Sequence, residues 1–235
     1  MLGLGYKFSF QAGVSMLKFY YNPVSGNARR VWVALLEKRI SFTPILVNLD
    51  GDQLGDEFTT INPLQRVPII IDNGFRVVES LAILDYLEAK YPTPSLMPTQ
   101  AEDIAVVRMV EMLAINELQP AMLILTRQIV GLNVDVVSID NARERIMKVV
   151  KFYEDLLNGK TYFVNQQITF ADIVAGTLLP SLPHFDFSLD AYPNLQEWLQ
   201  KLEQRESWQQ VALKPEMIVT SLPKIRAILE RRSEK

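Results

Sequence analysis

Apolar positions repeat with two different periods along the chain, and the change of period divides the chain into two parts. In the first part, short β-branched or aromatic runs predict four strands, at residues 17–21, 45–49, 69–71 and 75–78. Apolar residues at helical spacing predict helices over residues 28–38 and 79–91. The polar stretch 50–60 predicts an irregular segment with a short helix.

The order of these elements, β-α-β-(α)-β-β-α, predicts a small α/β domain. An alternating βαβ unit implies a right-handed crossover and parallel pairing of its two strands. The residues Asp72-Asn73-Gly74 supply the positive φ angles of a tight hairpin, which adds an antiparallel strand. This order is that of a thioredoxin-like fold.

Pro92, Pro94 and Pro98 separate the first part from a second part that is helical throughout. Apolar periodicity there predicts helices over residues 101–130 with a bend near Pro120, and over 140–157, 173–179, 195–202 and 222–232. The predicted organisation is an N-terminal extension, a thioredoxin-like domain, a linker and an all-α helical domain, over residues 1–15, 16–91, 92–99 and 100–235.

Composition and charge exclude several kinds of site. The net charge of −3 and the isoelectric point near 5.4 argue against a nucleic-acid-binding surface. The absence of cysteine excludes disulfides, thiolate metal sites and a cysteine nucleophile, and the single histidine, His184, excludes a histidine-cluster metal site. We therefore expect no bound metal, and we interpret His184 as structural.

No stretch of the sequence predicts a membrane-spanning helix, which needs about 20 nearly uncharged residues. The most apolar region, residues 104–132, is interrupted by Pro120 and contains four charged residues, Arg108, Glu111, Glu117 and Arg127. Residues 1–15 are a poor match to a signal peptide, and Met16 directly precedes the first strand, so we interpret residues 1–15 as an extension. The lack of cysteine fits a reducing compartment.

The segment 62–80 carries two features that can bind a ligand. Ser80 lies where a helix begins, and the unpaired N–H groups there favour a carboxylate, while Glu79 can hold an ammonium group. Taken alone, such a serine is more often a simple N-cap. Val67-Pro68 precedes a strand, and base rates favour a trans bond between them.

Three segments, at their mutual spacing, resemble the soluble glutathione transferase family, in particular its theta class and the bacterial relatives of that class. The resemblance covers nearly all of residues 16–235. The segments are GDQLGDEF at 51–58, NPLQRVP at 62–68 and ESLAIL at 79–84. The segment 169–172 also resembles the family's helix-capping box, whose role is folding.

The resemblance implies a glutathione transferase fold and a set of glutathione-binding residues. It implies that Val67-Pro68 is cis, that the Val67 backbone pairs with the cysteinyl part of glutathione, and that Glu79 and Ser80 hold the γ-glutamyl group. Gln53 and Arg66 fall where the family holds the glycyl carboxylate or flanks the peptide. The sequence departs from the family at both positions, where theta relatives usually have His, and Lys or Gln.

Ser25 is the catalytic candidate. The spacing Ser25-x-Asn27-x-x-Arg30-Val31 resembles the serine-type theta and phi classes, in which the serine donates a hydrogen bond to the glutathione thiolate. Asn27 is the alternative, because it matches the catalytic Asn of the nu class, which resembles glutathione-dependent disulfide reductases. We interpret Tyr20 and Tyr21 as packing residues.

The resemblance further implies a cytoplasmic homodimer with glutathione as co-substrate and no other cofactor. The expected reaction is attack of the glutathione thiolate on a small apolar electrophile, with halide displacement as one form. From position alone, we expect the second-substrate site to be lined by Arg108, Met112, Ile115 and Asn116. A non-catalytic glutathione- or ligand-binding protein of the same fold is the other reading that stays open.

Overall fold

The structure, a computed structural model, describes residues 17–49 and 51–233. The extension predicted over residues 1–15 lies outside this range. The described chain begins with a four-stranded sheet and its helices and continues as helices alone. The predicted fold, a thioredoxin-like domain followed by an all-helical domain, is confirmed.

The sheet has the strand order β2-β1-β3-β4. Its strands are β1 (Leu17–Tyr21), β2 (Thr43–Leu46), β3 (Ile69–Asp72) and β4 (Phe75–Val78). β1 pairs with β2 in parallel, and β3 runs antiparallel to both β1 and β4. Phe19 pairs with Pro44 on one side and Ile70 on the other, and the fully buried Phe19 and Ile70 form the centre of the sheet.

Two local predictions for the sheet have different outcomes. Asn73 and Gly74 have φ angles of 51° and 83°, so the predicted hairpin is confirmed. The prediction of β2 over residues 45–49 is wrong by about half its length. β1 ends at Tyr21, whose carbonyl accepts the Val47 N–H at 2.8 Å, so residues after Val47 have no neighbouring strand to pair with.

Three helices flank the sheet, α1 (Gly26–Glu37), α2 (Asp56–Ile61) and α3 (Ser80–Lys90), with a short 3₁₀ turn at Asp52–Leu54. α1 packs against α3. Leu35 on α1 and Leu87 on α3, which the sequence places at helical spacing, are fully buried, while Leu36 and Leu81 are partly buried.

The helical part contains seven helices within the described residues. They are α4 (Ala101–Leu113), α5 (Gln119–Ile129), α6 (Val136–Leu157), α7 (Phe170–Gly176), α8 (Pro193–Glu203), α9 (Glu206–Val211) and α10 (Pro215–Ser233). The sequence analysis does not predict α9 or the 3₁₀ segment Leu179–Phe185. Both are short, and periodicity is weak over so few residues.

The bend predicted near Pro120 is a π-helical turn, Ala114–Leu118, between α4 and α5. Pro120 has no N–H and cannot continue a regular ladder into the preceding turn. α10 begins seven residues before its predicted start at residue 222 and continues through Pro223. The carbonyl that Pro223 leaves unpaired belongs to Val219, which is 66% exposed and can bond to water.

The capping box predicted at residues 169–172 is confirmed at the start of α7. The Asp172 carboxylate accepts the Thr169 N–H at 2.8 Å, the Phe163 N–H at 3.1 Å and the Trp198 indole N–H at 2.9 Å. Because these groups come from separate segments, the carboxylate ties α7 to α8 and to the preceding loop.

Ion pairs and backbone hydrogen bonds join the sheet part to the helical part. Arg205 forms a bidentate ion pair with Glu37 at the end of α1, with distances of 2.8 and 2.6 Å. The connection between α3 and α4 carries Leu96, which is buried and whose carbonyl accepts the Phe170 N–H at 3.0 Å. No helix among residues 17–49 and 51–233 is both long enough and apolar enough to cross a membrane.

Candidate active site

A cleft of about 660 Å³ lies between the loops at the end of the sheet and two helices of the helical part, α5 and α10. Its wall on the sheet side includes Asn22, Ser25, Asn27, Gln53, Arg66 and Val67. Its opposite wall includes Gln119, Leu123, Met217, Thr220, Ser221, Lys224, Ile225, Ile228 and Leu229. Both walls combine polar and apolar residues, and most of the polar groups on the sheet side lie in the loops that precede α1 and β3.

Ser25 is the N-cap of α1 and lines the cleft. Its hydroxyl oxygen accepts the Ala28 N–H at 3.2 Å, and its own N–H donates to the Asn22 carbonyl at 3.0 Å. A hydroxyl has one donor and two acceptor positions, so the Ser25 O–H can still donate into the cleft. The free N–H groups of the first turn of α1 favour an anion at the same place.

Asn27 lines the cleft two residues after Ser25. Its side chain makes no hydrogen bond within the part of the chain that the structure describes. Asn22, in contrast, is held on both sides, because its amide donates to the Val47 carbonyl at 2.9 Å and accepts the Val24 N–H at 3.0 Å. The turn before α1 is thus fixed while the Asn27 amide is available.

The Val67-Pro68 bond is cis, as the family resemblance implies and against the base rate for such bonds. Val67 is buried and lines the cleft, and its backbone N–H and carbonyl have no partner among the described residues. Asn62 fixes the loop before it, donating to the Arg66 carbonyl at 2.8 Å and accepting the Leu64 N–H at 3.0 Å. An extended peptide can therefore pair with Val67.

Gln53 and Arg66 line the cleft but differ in their surroundings. Gln53 is buried, donates to the Leu49 carbonyl at 2.9 Å and accepts the Gly51 N–H at 3.3 Å, so it shapes its own loop. The Arg66 guanidinium is exposed and makes no hydrogen bond or ion pair with the described residues. It can bind an incoming carboxylate.

Glu79 and Ser80 lie beside the cleft without forming its wall. Glu79 is exposed, with a φ of 68° that non-glycine residues rarely adopt, and its side chain does not cap α3. Ser80 is buried, and its hydroxyl accepts a hydrogen bond from Arg30 at 3.2 Å. The serine is therefore the first residue of α3 rather than its N-cap.

Arg30 belongs to the motif that begins at Ser25, but the sequence pattern assigns it no role in the site. Its guanidinium is fully buried and contacts Ser80 and, at 3.3 Å, the Gln119 side-chain oxygen. Burial lowers the pKa of Arg30 to about 10, while the Glu111 carboxylate raises it. The group therefore remains a cation near neutral pH.

The structure does not bring the four expected second-substrate residues to the cleft. Arg108 points instead to an ion-pair cluster, 2.7 Å from both Asp85 and Glu111. None of the others lines the cleft, and these are Met112, Ile115 and Asn116. On the helical side, the cleft is lined instead by α5, which follows the π-helical turn, and by α10. The four-residue spacing of Met217, Ser221, Ile225 and Leu229 could have indicated that these residues share one face of a helix. Periodicity does not show which other element that helix face lies against.

Comparison with known proteins agrees with this geometry. Residues 19–95 match the family described as glutathione S-transferase, N-terminal domain, and residues 103–206 match glutathione S-transferase, C-terminal domain. The chain is 31% identical over 195 residues to maleylacetoacetate isomerase of Rattus norvegicus, which covers 79% of this chain and 86% of the relative. It is 26% identical over 216 residues to glutathione S-transferase F10 of Arabidopsis thaliana, covering 85% and 98%.

A solved glutathione S-transferase of Methylobacillus flagellatus KT, with glutathione bound, superposes with a TM-score of 0.75. It shares 25% identity and covers 84% of this chain and 100% of its own. A thioredoxin-like domain followed by an all-helical domain is the architecture of a glutathione transferase. The chain belongs to the glutathione S-transferase family.

Proposed function

We propose that this enzyme ionises the thiol of bound glutathione at Ser25 and directs the thiolate at a small apolar electrophile. The observation that carries the proposal is the position of Ser25, whose O–H is free to donate at the N-terminus of α1 inside the cleft. The unpaired Val67 backbone and the exposed Arg66 guanidinium support glutathione bound along the same wall. Glu79 and Ser80 are the residues proposed to bind the γ-glutamyl end of glutathione.

The energies are sufficient for this role. A free thiol has a pKa of about 8.5, and lowering it by about two units requires about 2.7 kcal/mol of preference for the anion. A hydrogen bond to a charged group contributes about 1.5–3 kcal/mol, and a helix N-terminus adds about 0.3–1 kcal/mol. Ser25 and α1 together supply both contributions.

The opposite wall supports an apolar second substrate. Leu123 of α5 and the α10 residues Met217, Ile225 and Ile228 present hydrocarbon surface across the cleft from Ser25. A small organic halide, or another small electrophile with an apolar body, fits such a wall. Halide displacement therefore stays within the proposal.

An isomerase reaction on an acidic substrate is the second candidate. The cleft is lined by two cations, Arg66 and Lys224, and by no carboxylate among the described residues. The rat relative is named for maleylacetoacetate, a compound that carries carboxylates. An isomerase would return glutathione unchanged, so turnover without loss of free thiol would favour this candidate.

The test is an ultraviolet titration of the thiolate of bound glutathione in wild type, Ser25→Ala and Asn27→Ala. A lowered thiol pKa that reverts only in Ser25→Ala is the expected result. Reversion only in Asn27→Ala would move the catalytic role to Asn27 and favour disulfide reduction. Bound glutathione with an ordinary thiol pKa would favour a non-catalytic binding protein.

A cytoplasmic homodimer is a further part of the proposal. Phe75 on β4 and Met109 and Met112 on α4 are 61%, 42% and 43% exposed, so large apolar side chains are uncovered on both parts of the chain. The Asp85–Arg108 ion pair joins α3 to α4. We propose that a second copy of the chain covers these apolar side chains. Fractionation of cells tests the location.

A further inference from the structure

Arg30 of α1 joins two further helices, α3 and α5, through hydrogen bonds. It lies on α1, five residues after Ser25, and is 0% exposed. One terminal nitrogen donates to the Ser80 hydroxyl of α3 at 3.2 Å, and the other donates to the Gln119 side chain of α5 at 3.3 Å. Its Nε has no hydrogen-bond partner among the described residues.

The charges around Arg30 do not fully neutralise it. Its nearest acidic group is Glu111 on α4, which is also 0% exposed and has one carboxylate oxygen without a hydrogen bond in the described chain. The other oxygen of Glu111 is held by Arg108 at 2.7 Å, so that carboxylate is shared between two guanidinium groups. Arg29, the neighbour of Arg30 on α1, is partly buried and adds a further positive charge. A guanidinium that has no access to water therefore lies directly against the Ser80 hydroxyl.

The hydrogen bond from Arg30 determines how Ser80 can act. Because the Ser80 oxygen accepts from a guanidinium, the hydroxyl proton must point to another acceptor. Ser80 is also the first residue of α3, whose opening N–H groups have no side-chain cap. A carboxylate that arrives there meets a hydroxyl donor, free backbone donors and a positive charge directly behind them.

We propose that Arg30 is a positioning residue for the γ-glutamyl carboxylate of glutathione, which it acts on by orienting and polarising Ser80 from the protein interior. This inference rests on the proposed function, in which glutathione places its γ-glutamyl end at Ser80. Arg30 does not touch the ligand. Arg30 favours binding of the carboxylate by orienting Ser80 and by its positive charge, which water does not screen because the side chain is fully buried.

The test compares glutathione with an analogue that lacks only the α-carboxylate of the γ-glutamyl residue, 4-aminobutanoyl-cysteinyl-glycine. Isothermal titration calorimetry gives the dissociation constant of each ligand in wild type, Arg30→Lys and Arg30→Met. Wild type should bind glutathione at least about tenfold more tightly than the analogue. Arg30→Met should abolish this selectivity, and Arg30→Lys, which keeps the charge, should retain part of it.

Arg29→Lys is the matched control. Arg29 is a partly buried arginine on α1 that donates to the Thr177 carbonyl at 3.2 Å and makes no hydrogen bond to Ser80 or Glu79 in the described chain. It should leave the selectivity between the two ligands unchanged. Equal weakening of both ligands by the Arg30 variants would show a purely structural role and overturn the inference.

Two further measurements keep the result unambiguous. If Arg30→Met does not fold, Arg30→Lys is combined with Ser80→Ala, and in that background the lysine should cause no further loss of selectivity. Additive losses would mean that Arg30 does not act through Ser80. Failure of wild type to bind either ligand would remove the proposed function itself, whereas selectivity that survives in every Arg30 variant would remove only this inference.

Discussion

The Ala28 N–H donates to the Ser25 hydroxyl oxygen at 3.2 Å, so the residue that caps α1 is also the residue that faces the glutathione cleft. The two roles use different parts of one hydroxyl group. Capping uses a lone pair, and the proposed thiolate binding would use the proton. The cap also fixes the Ser25 side chain, so the donor is oriented before glutathione arrives. An ordinary N-cap and a catalytic donor are therefore compatible interpretations of this serine.

Ser25→Ala should lose both roles at once. Loss of the cap should lower the free energy of unfolding by about 0.5–2 kcal/mol. Loss of the donor should lower kcat/KM for glutathione conjugation by about 10–100-fold. Urea unfolding and steady-state assays with a chlorodinitrobenzene check the two effects. Asp135→Ala is the control, because Asp135 caps α6 through Ser138 far from the cleft and should change stability without changing activity.

Arg66→Ala should weaken glutathione binding through lost charge alone. Arg66 is exposed at the cleft and has no partner in the described chain, so its removal leaves no buried group unpaired. The KM for glutathione should rise by about three- to tenfold with kcat nearly unchanged, and the difference should shrink at high salt. Lys224→Ala, on the opposite wall, is the comparison and should act mainly on the KM of an acidic second substrate. A rise in KM for Arg66→Ala that does not depend on salt concentration would contradict this account.

Periodicity and turn chemistry predicted the order of the elements in the sheet part but not the bounds of β2. The strands are short β-branched or aromatic runs, and the hairpin follows from Asn73 and Gly74, which accept positive φ. The cis bond at Val67-Pro68 followed only from the family resemblance, because base rates favour a trans bond. The hairpin depends on neighbours along the chain, whereas the end of β2 depends on where β1 stops.

Contacts between distant elements could not be predicted in the same way. The partner of Arg30 is 50 residues away at Ser80, and a second partner is 89 residues away at Gln119. Arginine is rarely buried, and no periodic pattern in the sequence distinguishes the buried Arg30 from an exposed arginine. α10 was predicted to begin at residue 222, seven residues too late, and it continues through Pro223 because the freed carbonyl of Val219 is exposed. The expected second-substrate residues were therefore placed on α4 and the π-helical turn, whereas the cleft is lined by α5 and α10.

Wild type should be a dimer through the surface formed by β4, α3 and α4. Light scattering should give twice the chain mass of 26.8 kDa, and Met112→Asp should reduce it to the single-chain mass, because a buried unpaired charge is costly. Val137→Asp is the control, since Val137 is equally apolar and 68% exposed on α6, away from this surface. A wild-type species of single-chain mass at low concentration would contradict the prediction.

Acid should weaken the fold through Asp72 at the end of β3. Its carboxylate is almost fully buried and accepts the hydroxyls of Tyr86 at 3.1 Å and Tyr91 at 2.7 Å, with the Lys90 ammonium at 2.8 Å. Burial alone would raise the pKa of Asp72, but the bonds from Lys90, Tyr91 and Tyr86 outweigh it and hold the pKa below the ordinary 3.8. The ionised form is therefore the one that the folded state favours.

The direction of the pH effect follows from that lowered pKa. A carboxylate with a lowered pKa in the folded state stabilises the protein above its unfolded-state pKa, and this contribution is lost as the pH falls through the folded-state value. Asp72→Asn should therefore lower Tm clearly near neutral pH, by roughly 4–8 °C, and the difference from wild type should shrink below the ordinary pKa. Asp155→Asn removes an exposed surface pair with Lys151 and should change Tm little at any pH. A difference between wild type and Asp72→Asn that stays constant into strong acid would show that packing at this position, and not the charge of Asp72, anchors the end of β3 to α3.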